Sequence, residues 1–132
     1  MGYLTVISET GFPHSACRFE YRGRSEWYGF KPTTPKTPVC RGYVDRSDRS
    51  RYINHLATFQ IADAVLEQVI QQLLGKYEGL TYRAVRGPDC INLSVDAAQW
   101  SGLKTPPPPN VIPKNLVDNL ARLNPNLLLQ YS

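Results

Sequence analysis

The sequence predicts an α+β domain, a small antiparallel sheet with helices packed on one face, and three observations carry that expectation. Up to about residue 61 the chain runs in short alternating stretches broken by Gly and Pro, which is strand patterning. Beyond it, apolar residues recur at three- and four-residue spacing, which is helix patterning. Strands also precede helices instead of alternating with them, which argues against a parallel βαβ sheet. At 132 residues the chain reads as a single domain over 1–132, long enough to bury a core.

The elements follow in chain order. Tyr3 to Ser8 alternates weakly and reads as a short strand, and Gly11-Phe12-Pro13 as a turn. From His14 to Tyr21 the period is two: Ser15, Cys17, Phe19 and Tyr21 share one face, and His14, Ala16, Arg18 and Glu20 the other. Arg22-Gly23-Arg24 supplies a turn into a second strand over Ser25 to Phe30, making a hairpin. Lys31 to Pro38, with three prolines, reads as a loop that continues through the Arg/Asp segment Arg41 to Arg51. Arg51 to Ile61 is a further strand. Ala62 to Leu74 carries Val65, Val69 and Leu73 beside Leu66, Ile70 and Leu74, a helix that Gly75 is expected to end. Leu80 to Val85 reads as a short extended piece before a helix from Cys90 to about Ser101. Pro106 to Pro109 is a stiff surface crossing, and Ile112 to Leu120 a last short helix with a proline near its start. Residues after Asn124 read as a tail.

Composition limits the classes of function. Hydrophobic residues make up 42% and charged residues 20%, ordinary for a globular protein, and no stretch has the length and apolarity of a membrane span. The net charge of +4 resides largely in Arg18 to Arg24 and Arg41 to Arg51. The second of these interleaves Asp with Arg, which reads as a solvated loop and not as a nucleic-acid groove. Residues Met1 to Glu9 lack the charged start and long apolar core of a signal peptide, so the expectation is a protein that is cytoplasmic as synthesised. Export by a dedicated secretion system needs no such signal. Cys17, Cys40 and Cys90 form no metal pattern, and neither a metal nor a cofactor is expected. A Cys17–Cys40 disulfide is open but disfavoured in a reducing compartment.

Chemistry concentrates at Gly87-Pro88-Asp89-Cys90. Gly-Pro breaks what precedes it, Asp89 is a natural N-cap, and Ile91, Val95 and Ala98 continue at helical spacing. Cys90 therefore falls in the first turn of a partly buried helix. There the helix dipole favours the thiolate, and free N–H groups are able to hold an oxyanion. The plainer reading is a small apolar residue in a first turn. A thiol nucleophile needs a base, and the chain has two histidines, His14 and His55. His14 opens a strand at a polar turn, whereas His55 shares a face with Ile53, Ala57 and Phe59 and reads as a core or edge histidine. His14 is the better base. On position alone, Cys90 is expected to be the most readily alkylated thiol, with Cys17 shielded beside Phe19.

The order of these pieces resembles the circularly permuted NlpC/P60 proteins, papain-like cysteine hydrolases in which histidine precedes cysteine. His14, Phe19, Tyr28-Gly29-Phe30, Ala57-Thr58-Phe59, Tyr82, Cys90 and Gly102-Leu103 carry the resemblance over nearly the whole chain. It departs at Asp89, where such proteins often carry Asn; a carboxylate beside the thiol opposes its ionisation unless it is consumed as the N-cap. The resemblance implies a permuted papain-like arrangement in which Cys90 attacks an amide carbonyl and His14 moves the proton. A third polar group on the return strand, Glu26 or else Tyr28, would orient the imidazole, with Glu26 preferred.

The implied activity is a thiol-dependent amidase cleaving peptidoglycan peptides, of the kind used as an antibacterial effector or toxin. Its expected partners are that substrate and an inhibitor or immunity protein, with no nucleic acid and no membrane span. The competing readings are a PPPDE-like isopeptidase or protease acting on protein tails, acyl transfer or lipid hydrolysis within the same superfamily, and a non-enzymatic module using Pro106 to Pro109 as a polyproline ligand. An apolar groove favours the protein-tail substrate and a deep polar cleft favours peptidoglycan.

Overall fold

The structure, a computed structural model, describes every residue except Phe12, Pro13, Lys36, Val85, Arg86 and Val111. Of the expected Gly11-Phe12-Pro13 turn only Gly11 is among the described residues, and Val85 of the expected extended piece is not. The described strands are β1 (Gly2–Glu9), β2 (Ser15–Tyr21), β3 (Arg24–Pro32), β4 (Val39–Asp45), β5 (Ile53–Ile61), β6 (Thr81–Arg83) and β7 (Leu128–Tyr131). The helices are α1 (Asp63–Tyr77), α2 (Cys90–Trp100) and α3 (Pro113–Leu123). All seven strands join one sheet in the order β6-β4-β3-β2-β1-β5-β7, and every neighbouring pair is antiparallel. The α+β class is therefore observed. No described helix is long and apolar enough to cross a membrane.

Alternation decides which face of the sheet is covered. Leu4 and Val6 of β1, Cys17 and Phe19 of β2, and Tyr28 and Phe30 of β3 join one buried cluster with residues of all three helices. Their odd-even partners form a separate small cluster, Ile7, Trp27 and Leu56, that includes no helix residue. On that second face Thr5 and Thr58 close a buried hydroxyl pair at 2.8 Å, and the Arg18 guanidinium stacks on Trp27 at 5.5 Å. The helices thus pack on one face. The β2–β3 turn is the two-residue pair Arg22-Gly23, both at positive φ, which gives the backbone twist that a tight hairpin needs.

Three expectations are corrected. The segment read as loop from Lys31 through the Arg/Asp run contains β4. Its inward positions Cys40, Gly42 and Val44 alternate with exposed ones, but Arg41 and Asp45 hid that period. Gly42 is required there, because a Cβ would come within 2.2 Å of the Phe30 ring. Second, α1 continues through Gly75, which faces open space, to Tyr77. The buried Tyr77 ring and its hydroxyl bond to Asp96 at 2.6 Å hold the last turn against the cost of about 1 kcal/mol for glycine in a helix. Third, the tail after Asn124 includes β7, which pairs with β5 and adds a strand to that edge.

Candidate active site

Cys90 is the first residue of α2, and local chemistry fixes that helix start firmly. Asp89 Oδ1 accepts from the backbone N–H of Ile91 at 3.0 Å and of Asn92 at 3.2 Å, while Asn92 Oδ1 accepts from Asp89 N at 2.8 Å. This reciprocal pair is a capping box. One turn on, Ser94 anchors the helix to the sheet: its Oγ lies 2.7 Å from Ser15 Oγ and accepts from the Cys17 thiol at 3.6 Å.

This anchoring carries the Cys90 sulfur to the start of β2. The β2–β3 ladder stops at the Cys17–Tyr28 pair, and beyond it β3 pairs with β4 instead. In the resulting splay the Cys90 sulfur lies close to the backbone N–H groups of Ser15 and Ile91, which favour its thiolate, and to Tyr82 of β6. Burial nevertheless dominates and pushes the Cys90 thiol up to about 12; Ser15 opposes that shift, and the charges of Asp89 and Glu9 add to it. Cys90 is only 6% exposed. Burial therefore argues against the expectation that its helix position makes it the most reactive thiol, because desolvation opposes the dipole. Cys40, half-buried on β4, is the more accessible thiol, Cys17 is fully buried as expected, and all three cysteines are free.

His14 sits immediately before Ser15, so the imidazole and the thiol meet the same short piece of backbone. Its ring lies over Gly29, with Nε2 3.5 Å from where a Cβ on that glycine would stand. The imidazole lies on the Gly29 side of the sheet and the thiol on the helix side, and among the described residues no hydrogen bond joins the two. Burial first, and then the charges of Lys31 and Arg49, lower His14 to about 3. In this state both groups are neutral, and Nε2 is buried without a hydrogen-bond partner.

The acid nearest His14 is Glu9. The two are neighbours across the β1–β2 hairpin, where Glu9 N–H donates to His14 O at 2.9 Å. Glu9 Oε1 accepts two bonds from Arg49, from Nε at 3.0 Å and Nη2 at 2.7 Å. Oε2, buried and unpartnered, faces His14 Nε2 at 3.8 Å. Glu26, the expected orienter, does not reach this place. The register sets it opposite Phe19, well along β2 from His14, where it accepts from Tyr21 at 2.7 Å and Tyr28 at 2.9 Å and faces Arg46. Those hydrogen bonds, Tyr21 first, hold its carboxyl below the usual range. Tyr28, the alternative, pairs with Cys17 and turns its hydroxyl to Glu26 and Arg46, so it does not orient His14 either. His55 lies elsewhere, with Nε2 2.5 Å from Asp118 Oδ1, which also accepts from Tyr131.

Glu9 and Arg49 were missed in the sequence although a signal existed. A strand ending at residue 8 or 9, a turn, and a strand starting at His14 allow Glu9 to stand beside His14, and the pairing places it there. Arg49 lay in the run read as solvated loop. In fact Arg49 binds Glu9, Arg46 binds Tyr28, and Asp45 binds Lys31 at 2.5 Å. Beside His14 opens a cavity of about 770 Å³, lined also by Glu9, Arg49, Lys31, Tyr43, Tyr52 and Tyr82. Cys90 is not among its lining residues and stands behind Tyr82. Among the described residues no three His, Cys, Asp or Glu side chains cluster as metal ligands. No protein-family model, curated protein or solved structure matches the chain.

Proposed function

We propose that the protein is a thiol-dependent hydrolase of peptide amide bonds, built on a permuted papain-like arrangement, with Cys90 as nucleophile and His14 as base. The observation that carries this reading is the splay between β2 and β3. There Cys90, on a capped helix start, lies close to Ser15 and Tyr82, and the residue before Ser15 is a histidine that faces a buried carboxylate.

The chemistry balances with these groups alone. His14 takes the thiol proton as sulfur attacks the carbonyl carbon, and the Cys90 backbone N–H helps hold the oxyanion. Collapse breaks the C–N bond, and His14 gives its proton to the leaving amine. Water, deprotonated by His14, then attacks the thioester carbonyl; the acid leaves and the proton returns to Cys90. Glu9, fixed by Arg49, faces His14 Nε2 and would support the imidazolium once it forms. Because thiol and imidazole rest neutral, proton transfer accompanies substrate binding and no ion pair is stored beforehand.

Peptidoglycan peptides are the substrate that the resemblance implies. The protein-tail reading is favoured by the proline and tyrosine walls of the cavity, an apolar groove and not a polar cleft. Purified peptidoglycan and a ubiquitin-like fusion would be digested in parallel, with fragments followed by mass spectrometry. Cys90→Ala and His14→Ala are each expected to abolish release, and the double variant to lose little more, because the pair acts as a unit. His55→Ala should retain most activity. Release that survives Cys90→Ala removes the thiol mechanism. Release from peptidoglycan alone selects the amidase, and from the fusion alone the isopeptidase.

A further inference from the structure

Resting on the hydrolase reading, we infer that the cavity beside His14 receives an uncharged apolar side chain flanking the scissile amide, so that the substrate is a peptide with a residue such as Leu, Phe or Pro at that position. The cavity volume, about 770 Å³, lies in the range of pockets that enclose ligands. Its walls are ring faces: Pro32, Pro35 and Pro38 from the end of β3 and the segment after it, with Tyr43 and Tyr52. Both tyrosines are more than a third exposed, so their rings are open to an incoming group. Flat pyrrolidine and phenol surfaces of this kind hold extended peptides by apolar contact. Tyr82 lines this cavity and lies close enough to Cys90 to feel its charge, so it links the cavity to the nucleophile.

Charge argues the same way. The cations among the described lining residues are Lys31 and Arg49, and each is already bonded to a carboxylate, Lys31 to Asp45 at 2.5 Å and Arg49 to Glu9 at 2.7 Å. Both carboxylates are largely buried, and His14 is neutral. An acidic or basic substrate group would have to compete with these pairs in a largely apolar cavity, where an imperfectly paired charge is costly. A neutral side chain breaks none. On this inference an acidic or diamino residue of a peptidoglycan stem is not the group that fills the cavity.

The test uses the full chain and peptides that differ only at the residue beside the cleaved bond, carrying Leu, Phe, Glu or Lys. Leu and Phe peptides are expected to exceed Glu and Lys peptides by at least about tenfold in kcat/KM, the scale of discrimination an apolar pocket supplies. Tyr43→Ser should raise KM for the Leu peptide several-fold with kcat little changed, and Tyr43→Glu should shift preference toward Lys. Equal cleavage of the four peptides, a preference for Glu, or a Leu preference untouched by both Tyr43 variants would overturn the inference. If no peptide is cleaved, the hydrolase reading falls. Calorimetric binding to Cys90→Ala then decides the pocket separately: tighter binding of Leu and Phe peptides supports it, and equal binding overturns it.

Discussion

At the residue scale the decisive contest is between the helix dipole and burial at Cys90. A first-turn position favours the thiolate by fractions of a kcal/mol to about 2 kcal/mol. Burial moves the thiol the other way, from an ordinary value near 9 to about 12, and burial wins. Reactivity in the native state should therefore follow exposure more than position. With iodoacetamide at neutral pH, read by mass spectrometry, Cys40 is expected to label first, Cys90 more slowly, and Cys17 last. Labelling of Cys90 ahead of Cys40 would show an open, ionised site and contradict the neutral pair described above. The same contest explains Asp89, whose charge adds to the shift on Cys90 while its oxygen secures the cap.

At the scale of elements, the start of α2 separates those two roles of Asp89. Asp89→Ala removes the acceptor for both Ile91 N–H and Asn92 N–H and should cost about 1 kcal/mol, up to about 2, in urea unfolding. Asp89→Asn keeps an oxygen for the cap and removes the charge. It should leave stability within about 0.5 kcal/mol and speed Cys90 alkylation, since one of the groups opposing ionisation is gone. Slower alkylation in Asp89→Asn would place the carboxylate in a helping role. The hairpin of β1 and β2 is the other element that matters. Antiparallel pairing forces Glu9 and His14 together, while the β2–β3 register holds Glu26 apart from them.

At the scale of the whole molecule, pH reports how much burial the fold imposes on His14. Its folded value, about 3, lies below the ordinary 6.5, so between these values the unfolded chain binds the extra proton. The penalty is absent above about pH 6.5, grows as pH falls, and is complete below about pH 3. At about pH 4.5 it amounts to about 3 kcal/mol. Urea unfolding of the wild type should show this loss, and His14→Gln should flatten it, so the gap between the two curves narrows or reverses toward low pH. Parallel curves from pH 7 to pH 4 would mean that His14 is solvated. On the alkaline side Cys17 and Cys90 are both raised to about 12, so their contribution is present below about pH 9 and is lost as pH rises toward 12.

The sequence by itself determined the α+β class, the strands around Cys17 and Trp27, a turn within Arg22-Gly23-Arg24, the cap at Asp89 and the placing of Cys90 in a first turn. Each rests on local information: a period of two or of 3.6, a glycine, a capping side chain. Tertiary structure alone decided which acid stands beside His14, whether the thiol is ionised, and where β4 and β7 belong. Glu26 and Glu9 are equally plausible from spacing, and only the strand register separates them. β4 reads as loop because its exposed side is charged, and it becomes a strand through pairing with β3 and β6. The protonation of Cys90 follows from how completely α2, β2 and Tyr82 exclude water, a sum over distant neighbours that no local pattern records.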